Sequence, residues 1–148
     1  MIRVGTSGWS YPSGKGTWTD VFYPRGTRDE LAYYSERFDT VEVNSTFYRI
    51  QSPQTAFSWA RRTPAGFLFS VKLFQKFTHP EMYLKKTGLD PGDLGQKEID
   101  EFRAMLDPLA AAGKLGILLA QFPSSFHDEP ATREYVERLL ETFRDYEM

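Results

Sequence analysis

Acid–base residues and hydrogen-bonding residues stand at alternate positions near the ends of the apolar segments. In Thr40-Val41-Glu42-Val43-Asn44 the two valines share one side of a period-two pattern, and Glu42 and Asn44 share the other. Phe67, Phe69 and Val71 likewise oppose Leu68, Ser70 and Lys72, and Ile2 and Val4 oppose Arg3, Gly5 and Ser7. Leu118 and Ala120 oppose Ile117, Leu119 and Gln121. One face thereby collects Arg3, Ser7, Glu42, Asn44, Ser70, Lys72 and Gln121. A buried charge without a partner is costly, so this face calls for ion pairs, water or a ligand. Glu42 and Lys72 are the candidate catalytic pair, a general acid or base beside a cation that tunes it. The plainer alternative is a structural ion pair between them. Ser7, Asn44 and Gln121 are candidate substrate contacts. The adjoining loops add Trp9 and Tyr11, whose rings suit stacking or a hydrophobic lid, and Tyr48 and Arg49. Arg49 suits a phosphate or carboxylate, or a surface salt bridge. His79 completes the set as a proton shuttle or phosphate contact.

The elements that must hold these groups alternate strand and helix. Strands are expected over residues 2–7, 40–44, 67–72 and 115–121. Thr27 and Glu30 fit a capping box before Leu31, Tyr34 and Phe38 at helical spacing. Ser52-Pro53 reads as N-cap and first helical position, with Phe57 and Ala60 inward. Residues 73–95, with Pro80, Gly88, Pro91 and Gly92, read as a long connection. A helix from Gln96 presents Ile99, Phe102, Leu106 and Leu109, with Pro108 expected to kink it and Gly113 to end it. Pro130 opens a last helix with Val136, Leu140 and Phe143 on one face. The order βαβαβαβα means a parallel sheet with crossover helices. An open doubly wound sheet and part of a (β/α) barrel both fit it. Polar groups converging at strand C-termini favour the barrel, whose active sites lie there.

Composition narrows the function classes. The 148 residues suit one domain. No cysteine is present, which excludes thiol chemistry and thiolate metal sites. No metal site is expected: the two histidines, His79 and His127, lack a tight ligand spacing. No GxGxxG or GxSxG motif occurs. The net charge of −2 disfavours a nucleic-acid-coating protein. Charge is nevertheless uneven: residues 1–80 carry ten Lys/Arg against six Asp/Glu, net +4, and residues 81–148 carry eight against fourteen, net −6. No apolar run approaches a membrane span, no secretory signal pattern is present, and a cytoplasmic location is expected. Among the 23 aromatics, Trp18, Phe22 and Tyr23 read as packing.

A set of segments resembles the YecE-like family, domain of unknown function 72. They are Gly5-Thr6-Ser7-Gly8-Trp9-Ser10-Tyr11-Pro12, Phe22-Tyr23-Pro24, Val41-Glu42-Val43-Asn44-Ser45-Thr46-Phe47-Tyr48-Arg49, Thr63-Pro64, Thr78-His79, and Gln121-Phe122-Pro123-Ser124-Ser125-Phe126. The resemblance implies a TIM-barrel-like fold and no settled activity. The family pattern continues through further βα units, so residues 1–148 are expected to form a single domain, the N-terminal half of such a barrel. The expected function is enzymatic, on a small polar or anionic substrate held at the C-terminal ends of the strands, with no cofactor indicated. The alternative is a nucleic-acid-binding protein using Trp9, Tyr11, Lys15, Arg25, Arg28, Arg49, Arg61 and Arg62. Four parallel strands leave two open edges, so a homo-oligomer, an unstable monomer or a partial form of a longer protein is expected.

Overall fold

Val41 and Val43 alternate with Thr40 and Glu42, and this period-two pattern forms β2 (Thr40–Val43), an interior strand of a four-stranded parallel sheet. The computed structural model describes residues 2–87 and 95–146. Its sheet runs β1 (Gly5–Ser7), β2, β3 (Leu68–Lys72), β4 (Leu115–Leu119), with neighbours in space that are also neighbours in sequence. The register sets Ser7 beside Glu42, Glu42 beside Ser70, and Lys72 beside Leu119. Helices α1 (Glu30–Ser35), α3 (Pro53–Arg61), α6 (Gln96–Ala111) and α7 (Pro130–Thr142) contribute to one core with Val41, Val43, Phe69 and Val71. Leu31, Tyr34, Ala56, Phe102, Met105, Leu106 and Leu109 are fully buried there. Burying a large apolar side chain is worth ~1.5–3 kcal/mol, so this face is the main source of stability. The opposite face, with Glu42, Ser70 and Lys72, is half-buried.

The aromatic loop before α1 packs as expected. Trp18, Phe22 and Tyr23 meet one another, and Trp18 stacks on Tyr34 while Phe22 meets it edge-on. The Tyr34 hydroxyl accepts from Thr6 N at 2.8 Å and donates to Thr40 O at 3.0 Å, joining β1 to β2. Burial pushes the Tyr34 phenol up from its ordinary pKa.

Several expectations are corrected. Asp29, not Thr27, caps α1, accepting from Ala32 N at 3.0 Å, while Thr27 donates to Pro24 O. Ser52 and Pro53 open α3 as expected, but Phe57 is exposed and Ala56, Trp59 and Ala60 face inward. The connections hold three short helices: α2 (Ser45–Tyr48), α4 (Gln75–Thr78) and α5 (Pro80–Thr87). Gly88, Pro91 and Gly92 lie outside the described residues. The α6 helix is one element through Pro108 to Ala111. Residues 2–4 precede β1; Ile2 and Val4 are exposed, and Arg3 donates to Gly66 O at 2.7 Å at the far end of the sheet from the candidate site. A register shift opposite Phe69–Val71 breaks the alternation in β4 and leaves Ile117 exposed beside Leu118. On α7 and just after it, Val136 is half-buried and Phe143 buried as expected, but Leu139 rather than Leu140 turns into the core.

Candidate functional site

The ends of β1 and β2 converge on a serine. Ser7 Oγ donates to Glu42 Oε1 at 3.4 Å and accepts from Asn44 Nδ2. Tyr11 donates its phenol to the Ser7 carbonyl, and Gly8 N donates to Glu42 O at 2.9 Å. Gly8 has φ 86°, in the left-handed region that favours glycine, and turns the chain away from the strand end. Asn44 follows β2 and precedes α2, but its amide turns to Ser7 rather than capping the helix. The result is a carboxylate at the strand end whose side chain has, among the described residues, one long hydroxyl contact.

A second group forms at the end of β3. Lys72 Nζ lies 4.9 Å from the centroid of the Phe47 ring, and the His79 ring meets Phe47 edge-on at 5.0 Å. Among the described residues Glu42 and Lys72 form no ion pair. Strand spacing of about 4.8 Å and a rise of about 3.3 Å per residue separate their Cα atoms by about 8 Å. Burial, and then the Lys72 charge, lower the His79 pKa, so the imidazole is neutral at pH 7 and keeps an acceptor nitrogen. His79 Nδ1 is 3.0 Å from Thr78 Oγ1. Beside it lies a cleft of about 290 Å³ lined by Thr78, His79, Lys85, Pro123, Ser125 and Phe126, among others.

Two residues here escaped sequence reasoning, although both lie in the segment after β2. Thr46 is fully buried, and its hydroxyl lies 2.8 Å from Val43 O and 2.7 Å from Lys72 O, sharing one proton between the ends of β2 and β3. Phe47 is buried between Lys72 and His79. The only signal was position: both directly follow a strand whose end already carried Glu42 and Asn44.

Apart from the Tyr11 hydroxyl on the Ser7 carbonyl, the other candidates do not join the cluster. Trp9 turns to the helix side, edge-on to Trp59 at 5.5 Å and to Phe69 at 6.5 Å. The Tyr11 ring leans on Trp18 at 4.9 Å. Tyr48 is exposed against Phe47, and its carbonyl accepts from the buried Gln75. Arg49 is exposed and makes no ion pair among the described residues. Because β4 ends at Leu119, Gln121 falls in the loop beyond it and is exposed. Of the basic set suggested for nucleic acid, Arg25 and Arg62 are neutralised by Asp20 and Asp29, and Arg61 lies over Phe57. Among the described residues no three His, Cys, Asp or Glu side chains gather as a metal site, and no helix is long and apolar enough to cross a membrane.

A family model described as "Protein of unknown function DUF72" matches residues 3–148. The UPF0759 protein YunF of Bacillus subtilis is 32% identical over 127 residues, covering 85% of this chain and 41% of its own. The UPF0759 protein YecE of Escherichia coli K12 is 26% identical over 141 residues, covering 94% and 44%. A DUF72 family crystal structure from Thermotoga maritima matches with TM-score 0.71 at 35% identity, over 96% of this chain and 52% of that one. Another, from Enterococcus faecalis, matches in fold with TM-score 0.76 at 22% identity, over 98% and 48%. The chain thus spans about half the length of the proteins it matches.

Proposed function

The chain belongs to the DUF72 family, and on that premise we propose that it serves an enzyme acting on a small polar or anionic molecule bound at the C-terminal ends of the strands. We read residues 1–148 as the N-terminal half of a (β/α)₈ barrel. Parallel strands in sequential order, with the large helices on one face, support that reading over a doubly wound sheet, which changes direction at a switch point. One observation carries the site: Glu42 and Lys72 project from adjacent strands onto the face away from the helices, and neither neutralises the other. The gap of about 8 Å between their Cα atoms suits a ligand that meets the ammonium with an anionic group and the carboxylate with a proton. Glu42 takes or returns that proton, Lys72 stabilises the negative charge, and Ser7 and Asn44 orient the ligand through their hydrogen bonds. Neutral His79 accepts or donates at the rim.

The two histidines supply the test. His79 lies in the site and His127 in an exposed loop, so NMR of the imidazoles gives a probe with an internal control. Titration of the chain with inorganic phosphate and with citrate is expected to move the His79 resonances, leave those of His127 in place, and lose the response in K72M. Equal responses in K72M, or none at His79 with either anion, would sink the reading. With a phosphorylated or carboxylated substrate found by thermal-shift screening, E42Q is expected to keep binding and lose turnover.

A further inference from the structure

We propose that the cleft beside His79 receives an apolar ring, so that the ligand of this site is an anion carrying an aromatic group. The inference rests on the reading of Lys72 above and adds the part of the ligand that Lys72 does not meet. One wall of the cleft runs from Thr78 through α5 to Lys85, and the other holds Pro123, Ser125 and Phe126. The walls are therefore the connections that follow β3 and β4, neighbouring strands in the sheet. The volume is about 290 Å³, and a cavity of roughly 150 Å³ already takes a benzene ring.

The lining says what kind of group fits. Pro80, Met82, Pro123 and Phe126 give the cleft an apolar interior beside the His79 imidazole. Glu81 and Lys85 stand one turn apart on α5, both exposed, so their charges offset each other at the lip. An apolar cleft with a few polar groups suits the uncharged part of a small ligand. The anionic part belongs to Lys72. Its Nζ lies 4.9 Å from the centre of the Phe47 ring, and the His79 ring lies 5.0 Å from it on an edge-on contact. The ammonium and the imidazole are thus within ~10 Å of each other, a gap bridged by an anionic group joined to one ring.

Both walls are braced. Phe126 stacks on Phe122 with centroids 4.2 Å apart, and Phe122 packs against the core. Tyr135 of α7 meets Phe126 edge-on at 6.4 Å and donates its hydroxyl to Phe77 O on α4 at 2.7 Å, tying one wall to the other. His79 N donates to Gln75 O at 2.7 Å, and His79 Nδ1 is held 3.0 Å from Thr78 Oγ1, which leaves Nε2 for a ligand. A cleft already formed in this way spends little binding energy on ordering its walls.

Methionine methyl NMR tests the inference. Met82 lines the cleft, and Met105, fully buried on α6, is the internal control. The chain, labelled at its methionine methyls, is titrated with phenyl phosphate and inorganic phosphate, and with phenylacetate and acetate; M82L assigns the signal. For at least one pair, the aromatic anion is expected to bind ~10-fold tighter than its parent and to move both His79 and Met82. The parent anions should move His79 alone, and Met105 should stay in place with all four. Ser125 is exposed, so S125W should fold as the wild type does by far-UV circular dichroism while its indole fills the cleft. It is expected to lose the Met82 shift and the preference for the ring. An unmoved Met82, with each aromatic anion bound no tighter than its parent, would overturn the cleft and leave the Lys72 reading standing. Retention of the preference in S125W would do the same. A Met82 shift of equal size and affinity in K72M would separate the cleft from the anion site and overturn the proposal. No response at His79 to any of the four anions would overturn both readings.

Discussion

Replacing Lys114 with methionine should destabilise the fold by about 2–3 kcal/mol, although among the described residues no carboxylate touches this lysine. Lys114 is 8% exposed and sits one residue before β4. Its ammonium donates to Ala60 O at 2.6 Å, to Thr63 O at 2.6 Å and to Thr63 Oγ1 at 3.1 Å. Ala60 lies in the last turn of α3, so the cation also meets the negative end of that helix. Methionine keeps the length of the stem and leaves those oxygens without their donor. Bonds from a charged donor are worth ~1.5–3 kcal/mol each and do not add, and removing the ammonium also removes its burial cost, which leaves the net loss at about 2–3 kcal/mol. For a chain of this size each kcal/mol shifts Tm by ~2–4 °C, so K114M should melt about 5–10 °C lower by circular dichroism or calorimetry. The alkaline side adds a signature. Burial lowers the Lys114 pKa, so between its folded value and the ordinary 10.5 the unfolded chain binds more protons. Wild-type stability should therefore gain from this group as pH rises through that window, and K114M should lack the gain. A K114M melting point within about 2 °C of wild type would mean that the ammonium costs as much by its burial as its bonds return, and would refute the reasoning.

Two further outcomes bear on the site. A Cβ on Gly5 would stand 2.0 Å from Thr40 O, so G5A must push β1 away from β2, costing ~1–3 kcal/mol or more, and should speed exchange of the Gly8 amide now bonded to Glu42 O; unchanged exchange would count against the packing. The His79 pKa is lowered by burial and then by Lys72, so the unfolded chain binds more protons just below the ordinary 6.5, and stability should fall on acidification through that window. In K72M an NMR titration should find the His79 pKa closer to 6.5, and an unmoved value would show that the Lys72 charge does not reach the imidazole.

What was legible in the sequence follows from period. Val41, Val43, Phe69 and Val71 alternate, and alternation alone places them on the core face and sets Glu42 and Lys72 opposite. The same rule says nothing of what those polar side chains touch. Lys72 leans over Phe47 instead of reaching Glu42, a rotamer choice made by a buried ring on α2, and a four-residue helix is too short to leave a periodic trace. Trp9 had two plausible homes, and the Trp59 and Phe69 rings that claim it come from distant parts of the chain.

The remaining mismatches have a common location. Ile2, Val4 and Leu140 read as core-facing positions; with Ile117, which read on the opposite face, they are exposed beside the edge strands β1 and β4. Scattered exposed apolar residues need no explanation, but apolar residues gathered beside edge strands do. Phe57, also exposed, differs from them: it lies on the outer side of α3, away from both edges, and is covered in part by Arg61. Period-two and helical patterns report which side of an element is apolar and not whether a neighbour covers it, so an apolar residue beside an edge strand reads like one on an interior strand.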